Sequence, residues 1–322
     1  MQINTLLIGC GNIAGLFNIS NDYPQITHAS IISKNKNFIF LACVDPNLSR
    51  LKKFKNKWAV KNIYTDIVDA LENHQFDLVI ICSPSFLHIN HIKVILKYRP
   101  RMIFCEKPLT TSSNDLKIIK NIVRKNETKL IINYTRLFDK QIIKLRNDLY
   151  LNNKMGKIQS VNALYNKGIL NNASHLISLL LFFFEKLKIN HKHNNLYDFI
   201  KSDPTISFVL QTTDKKPIFI NTTDSRYYEV FEIDLLFTYG RIRLINSGQK
   251  VEIYKIEKNK IFKDYKSLHL VKSYNSDYFN CLNNAYHLIE KFFNGKDNKS
   301  IIENNINITL ETEKLCHLIR KI

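Results

Sequence analysis

Glycine and proline are scarce, 8 and 7 among 322 residues, which excludes collagen-like repeats and proline- or glycine-rich low-complexity sequence. Cysteine occurs at Cys10, Cys43, Cys82, Cys105, Cys281 and Cys316, never as C-x-x-C. With the first four in or beside apolar runs, these thiols read as buried and reduced, not as a disulfide framework or zinc site. Long hydrophobic runs are missing too: the longest, Leu176–Phe184, is about half of the ~18–20 residues a membrane span needs. Met1–Gly9 enters a strand-like run without a basic leader or cleavage site, so no signal peptide is expected and the reading is a cytoplasmic protein with no membrane partner. Negative charge is in deficit, 28 Asp+Glu against 47 Lys+Arg for a net +19, which raises the question of a nucleic acid, membrane surface, nucleotide or acidic sugar as partner. Lys, Asn and Ile are abundant along the whole length, without a basic arm or zinc-finger spacing, so nucleic acid is not expected.

What is there is a foldable chain, 45% hydrophobic and 11% aromatic, long enough for two domains. Thr5–Ile8, Phe38–Val44, Leu78–Cys82, Met102–Cys105 and Leu130–Ile132 read as buried strands, apolar, β-branched and too short for helices. Helices are expected near Ile13–Ser20, Leu48–Lys57, Ile67–Asn73, Leu87–Leu96, Ser113–Lys125 and Lys140–Leu151, with Asn114, Asp115 and Asp139 supplying capping chemistry. This alternation implies βαβ units and a doubly wound parallel sheet.

After about residue 151 the pattern changes. Gly156–Asn166 is strand-like, Asn171–Lys188 reads as an apolar helix, and Ile206–Val271 alternates as several long strands. Phe231–Phe237 and Gly240–Ile245 flank Thr238-Tyr239-Gly240 as in a hairpin. Helices at about Asp277–Phe293 and Asn304–Ile322 close the chain. The expectation is an α/β domain over 1–135 and an α+β domain with a large, mostly antiparallel sheet over 136–322, the last helix able to pack back on the first domain.

The chemistry concentrates in three places. Gly9-Cys10-Gly11-Asn12-Ile13-Ala14-Gly15 is a G-x-G-x-x-A/G between a strand and a helix start; such a turn either serves packing or brings backbone amides to a pyrophosphate. Asp45 follows the second strand, where a carboxylate accepts from both ribose hydroxyls of NAD and repels the 2′-phosphate of NADP. The spacing from Gly11 to Asp45 is long because of an insert around Asn18–Ser30, with Asp22-Tyr23-Pro24 and Thr27-His28-Ala29, which either covers a cofactor or extends a loop. Cys82-Ser83-Pro84-Ser85-Phe86-Leu87-His88 and Cys105-Glu106-Lys107-Pro108-Leu109 lie at carboxyl ends of strands, where open α/β sheets bind ligands. Lys107 is either a solvated lysine in a proline turn or a group that steadies alkoxide-like charge. His191 and His193 have H-x-H spacing with no third ligand in view, which favours a loop over a metal site, and no metal is expected.

Together these motifs resemble the Gfo/Idh/MocA family of NAD(P)-dependent sugar and polyol oxidoreductases, whose first domain is a Rossmann fold. The resemblance extends through Asn133-Tyr134-Thr135-Arg136-Leu137-Phe138-Asp139, Met155-Gly156-Lys157-Ile158, Lys167–Ile177 and Phe237–Leu244. It implies that Gly9, Gly11, Asn12, Ile13, Asp45, Ser83, Pro84, His88, Glu106 and Lys107 bind NAD, with NADP the lesser candidate. It implies that Lys107 touches the reacting oxygen and that His175, otherwise a core histidine at the head of an apolar helix, is the acid/base. Asn171 and Ser178 stand where family members often carry acids, and Asn171 can hold a hydroxyl but takes no proton. Arg136, Tyr165, Lys167 and Asn171 are the substrate-side candidates; Arg136 and Lys167 either meet a phosphate or carboxylate or form ordinary salt bridges. The implied activity is hydride transfer at a secondary hydroxyl or keto carbon of a sugar, as a nucleotide sugar in surface-polysaccharide biosynthesis, by a homodimer or homotetramer. The rivals are redox-assisted elimination or glycoside cleavage with transient NAD use, and a catalytically silent NAD-binding scaffold.

Overall fold

The computed structural model describes residues 2–17, 26–152, 155–296 and 298–321. They form two compact units, Met1–Phe138 with Phe279–Glu313, and Asp139–Tyr278 with Lys314–Ile322. The division differs from a single cut after residue 135, because 279–313 returns to the first unit.

In the first unit, β1 (Ile3–Ile8), β2 (Phe38–Val44), β3 (Asn62–Tyr64), β4 (Leu78–Ile81), β5 (Met102–Cys105) and β6 (Lys129–Ile132) form one sheet in the order β3-β2-β1-β4-β5-β6. Every pairing is parallel. Unbroken apolar runs suit strands buried on both faces, and β1, β4 and β5 are nearly all core. The short, half-buried β3 lacked the apolar run that marked the others. The helices are α1 (His28–Ile32), α2 (Leu48–Trp58), α3 (Ile67–Asn73), α4 (His88–Ile95) and α5 (Ser113–Lys125). Of the helix expected over Ile13–Ser20, residues 18–20 lie outside the described residues, and the described part is a single wide turn, Asn12–Leu16, with a non-helical Gly15 inside it. Of the Asn18–Ser30 insert, 18–25 lie outside the described residues; Thr27–Ser30 is no covering loop but the capped, buried start of α1.

The return of 279–313 has a plain cause. In α8 (Cys281–Phe293), Cys281, Leu282, Ala285, Tyr286, Ile289 and Phe293 recur at helical spacing and join Ile3, Leu7, Ile80 and Phe104 in one core. Burial of each large apolar side chain stabilises by about 1.5–3 kcal/mol. The helix α9 (Lys299–Lys321) supplies polar clamps to the same unit. Its Asn305 accepts from Ile132 N–H at 2.9 Å and donates to Ile132 C=O at 3.0 Å, so the edge strand β6 gains a side-chain partner where no strand follows. Eight residues on, the buried Glu313 accepts from the backbone amides of Leu109 and Thr110 and from Tyr134.

In the second unit, α6 (Lys140–Asn152) and α7 (Ser174–Phe184) accompany strands β7 (Ile158–Tyr165), β8 (Leu187–Ile200), β9 (Asp203–Thr212), β10 (Pro217–Thr222), β11 (Phe231–Phe237), β12 (Gly240–Ile245), β13 (Lys250–Lys258) and β14 (Lys266–Asn275). They form one sheet, β14-β13-β12-β11-β7-β10-β9-β8, antiparallel except for β7 with β10. Period-two burial along β7, β11 and β12 gives it one covered face. The expected hairpin is β11–β12, turning at Thr238-Tyr239. His191 and His193 are in strand β8 rather than a loop. Among the described residues no three His, Cys, Asp or Glu side chains gather as metal ligands do, and no helix is long and apolar enough to cross a membrane.

Replacing Asn305 by Leu strands a buried donor and acceptor of β6, and urea unfolding should show a loss of about 2–4 kcal/mol. A second outcome concerns Glu313. Burial pushes its carboxyl up to about 7 against the backbone bonds that pull it down. The folded state therefore holds an extra proton between the ordinary value of 4.5 and about 7, and stability falls as pH rises through that window, by on the order of 3 kcal/mol. Urea melts at pH 5 and pH 8 should show this fall in the wild type and little of it in Glu313→Gln; equal slopes would refute it.

Candidate active site

The glycine turn leaves β1 beside β4, the point where the strand order reverses and open α/β sheets bind ligands. Gly9 has φ +89°, and a Cβ there would lie 2.6 Å from the Ser83 nitrogen and 2.8 Å from the Cys82 carbonyl carbon. Both are backbone atoms that cannot yield, so the two strand-end loops touch only through glycine. At Gly11 a Cβ would meet nothing within 4 Å, so the turn is open on that side. At Gly15 a Cβ would be 2.8 Å from Phe54, which makes that glycine a packing residue under α2. An open glycine cradle fits a dinucleotide pyrophosphate, although the helix behind it is one turn long.

Asp45 ends β2 and is buried at 2% exposure. One oxygen accepts from Cys10 N–H and the other from Asn47 N–H, both at 2.9 Å. The Arg50 guanidinium, half-exposed, lies 3.2 Å from the same carboxylate. Asp45 therefore holds the glycine turn, and the accessible charge at this corner is the arginine, which sequence reasoning did not single out.

On the next loop, Pro84 is exposed and Ser83 bonds His91 Nδ1 at 3.0 Å. Burial and the neighbouring His88 lower the His91 pKa to about 4. His88 is 1% exposed, and its ring nitrogens face the Ser83 and Pro108 carbonyls at 2.9 Å. Burial lowers its pKa in spite of those acceptors. A neutral ring has one N–H, so His88 joins the β4 and β5 loops one carbonyl at a time. It was expected to touch the cofactor; in the structure both ring nitrogens are turned to backbone carbonyls.

The Glu-Lys-Pro loop follows β5. Glu106 Oε1 lies 2.9 Å from His28 Nε2 and 2.6 Å from Asn133 Nδ2. Burial works to raise its pKa, but these donors and the Lys107 charge outweigh it and hold Glu106 below the usual carboxylate range. Lys107 is half-buried, between this anchored glutamate and the Leu109 and Thr110 amides that Glu313 holds. The lysine is set by buried partners on both sides in the chain. Sequence reasoning missed His28, Asn133 and Glu313; His28 and Asn133 stood inside quoted segments, whereas Glu313 had no signal.

Arg136 is buried in the short turn Thr135–Phe138 of the first unit. In the second unit, Lys167 (φ +67°) gives its amide to Asp198 at 3.2 Å and its ammonium to Glu229, so the salt-bridge alternative holds. Asp203 receives the amides of Leu170 and Asn171, each at 2.9 Å, and fixes the turn Ile169–Ala173 that leads into α7. Asn171 is half-buried and gives its side-chain amide to Lys167 C=O at 3.1 Å. His175, in the first turn of α7, is 9% exposed, and Ser178 bonds its carbonyl at 2.8 Å. Tyr165 departs from expectation: it is fully buried, and its hydroxyl both donates to and accepts from the Ile206 backbone at 2.7 and 2.9 Å. It is a core residue of β7 with no hydroxyl left for a substrate.

Residues 3–134 match the family model described as an oxidoreductase family with an NAD-binding Rossmann fold, Gfo/Idh/MocA. The chain is 30% identical over 145 residues to the uncharacterized oxidoreductase YrbE of Bacillus subtilis, covering 45% of this chain and 39% of that one. It is 28% identical over 119 residues to the myo-inositol 2-dehydrogenase of Thermotoga maritima, covering 37% and 35%. The matched regions thus span well under half the length of these curated relatives. Among solved structures, a 3-ketoreductase variant from Actinomadura kijaniata with TDP-benzene and NADP superposes with TM-score 0.75 at 15% identity over 99% of this chain and 97% of that one. The WlbA dehydrogenase of Bordetella pertussis with NADH and UDP-GlcNAcA gives 0.65 at 18% over 77% and 79%. At such identities these two show the fold alone. Over residues 3–134, then, the chain is similar to the Gfo/Idh/MocA oxidoreductases, whose family model is that of an NAD-binding Rossmann fold.

Proposed function

We propose that the protein is a cytoplasmic NAD-dependent oxidoreductase acting on a secondary hydroxyl or keto carbon of a sugar, carried as a nucleotide conjugate in polysaccharide biosynthesis. The observation that carries the proposal is the anchored Glu-Lys-Pro loop at the carboxyl end of β5, in the sheet whose switch point holds the open glycine cradle. When bound, the nicotinamide supplies or accepts the hydride. Gly9, Gly11, Asn12 and Ile13 would hold the pyrophosphate, while Ser83, Pro84 and Glu106 line the strand ends beside it. Lys107 would donate to the reacting oxygen and steady its negative charge. His175 would exchange the hydroxyl proton, Asn171 would hold a neighbouring hydroxyl, and Arg136 would meet an anionic group of the substrate. Lys167 and Tyr165, engaged elsewhere, are left out. Relatives solved with TDP- and UDP-linked ligands support the nucleotide-sugar class. The outer face of the eight-stranded sheet, with Leu164 and Phe219 exposed, would pair subunits into a homodimer or homotetramer.

A second cofactor reading rests on Arg50. Its exposed guanidinium beside the buried Asp45 carboxylate can take the 2′-phosphate of NADP. Titration with NADH and NADPH, read by energy transfer from Trp58, whose indole donates to Gly15 C=O at 3.2 Å, separates the two. Selective NADH binding is expected. NADPH preference that disappears in Arg50→Ala would establish the second reading, and binding of neither would remove the enzyme assignment.

Lys107→Ala should lower kcat on a nucleotide-sugar panel by about 100-fold or more while the NADH Kd stays within roughly threefold. Undiminished turnover would sink the role of the lysine.

A further inference from the structure

Glu106 is held by a chain of side chains that runs away from the ligand side into the core. His28 is fully buried on α1, its Nε2 at 2.9 Å from Glu106 Oε1 and its Nδ1 at 2.7 Å from the Tyr286 hydroxyl. An ionised carboxylate only accepts, so Nε2 carries the proton toward Glu106 and Nδ1 is left to Tyr286. The imidazole is also wedged edge-on against Phe104 and Tyr286, with centroids 5.3 and 5.8 Å away. Its orientation is thus set from both β5 and α8, the latter far along the chain.

The groups that face Glu106 can be named from each element around it. Cys82 and Cys105, at the ends of β4 and β5, are kept as neutral thiols by burial. Burial likewise holds Tyr286 neutral and lowers the His88 pKa. Against the cost of a carboxylate in this surrounding stand the His28 and Asn133 donors and the Lys107 charge. Both donors use Oε1.

We propose that His28 is a positioning residue for the reaction: backed by Tyr286, it holds Glu106 as a carboxylate next to Lys107 and so keeps that lysine charged and in place. This rests on the reading of Lys107 as the group at the reacting oxygen. No bond is made or broken at His28.

The test follows the Glu106 carboxyl directly. In full-length protein labelled with 13C-glutamate and assigned through Glu106→Gln, His28→Leu should move the Glu106 titration midpoint upward by about 1–3 units. His28→Gln, whose side-chain amide can donate from nearly the same place, should recover at least half of that movement. A folded His28→Leu with an unmoved midpoint overturns the proposal. If His28→Leu does not fold, Tyr286→Phe decides: removing only the hydroxyl should move the midpoint the same way by a smaller amount, and no movement overturns the proposal. The acid limb of kcat/KM should shift with the midpoint. The carboxyl readout needs neither cofactor nor substrate, so full turnover in Lys107→Ala would end the lysine reading without touching it.

Discussion

A carboxylate taken out of water must be met by donors or it takes a proton, and Glu106 is where this first unit meets that condition. The requirement reaches far along the chain. One donor comes from α1, another from the residue after β6, and the ring that sets the first is wedged against α8. A helix almost 180 positions downstream in the chain is therefore part of the same core as β5, and α8 packs there with an apolar stripe as well as a phenol.

The same economy of buried polar groups sets the rest of the candidate site. Glu313 takes two amides just past Lys107-Pro108, His88 spans the carbonyls of Ser83 and Pro108, and Asp45 pins the glycine turn through Cys10. Loops at strand ends are ordinarily the mobile part of an α/β sheet. Here each is tied to a side chain with little access to water, so buried polar groups hold the loops in place. In the second unit Asp203 does the same for the turn before α7, accepting the amides of Leu170 and Asn171.

Much of this was legible in the residues. Apolar β-branched runs located β1, β2, β4, β5 and β6 because a doubly covered parallel strand needs apolar side chains on both faces, and period-two alternation located the second sheet. The glycine motif marked the turn because no other residue fits against the Ser83 backbone at Gly9. Where the reading departed from the structure, a side chain had been assigned by type. Tyr165 looked like a ligand contact, but its hydroxyl is spent on the Ile206 backbone, while Lys167 takes the salt-bridge alternative with Glu229. His88 looked like a cofactor contact and is a bridge between two backbones. Within the helix expected from Ile13 onward, Gly15 is non-helical under Phe54, so its described part is a single turn.

Local pattern by itself determined the element types, the parallel first sheet, the large second sheet and the placing of chemistry at strand ends, because hydrophobic period and glycine geometry act over a few residues. Only the tertiary structure decided which polar groups are consumed as supports. His28 with Glu106, Glu313 with Leu109 and Asn305 with Ile132 are separated by 78, 204 and 173 positions. A hydrogen bond across such a distance leaves no period in the sequence to read; it exists once the core has formed and burial has made an unpaired partner too costly to keep.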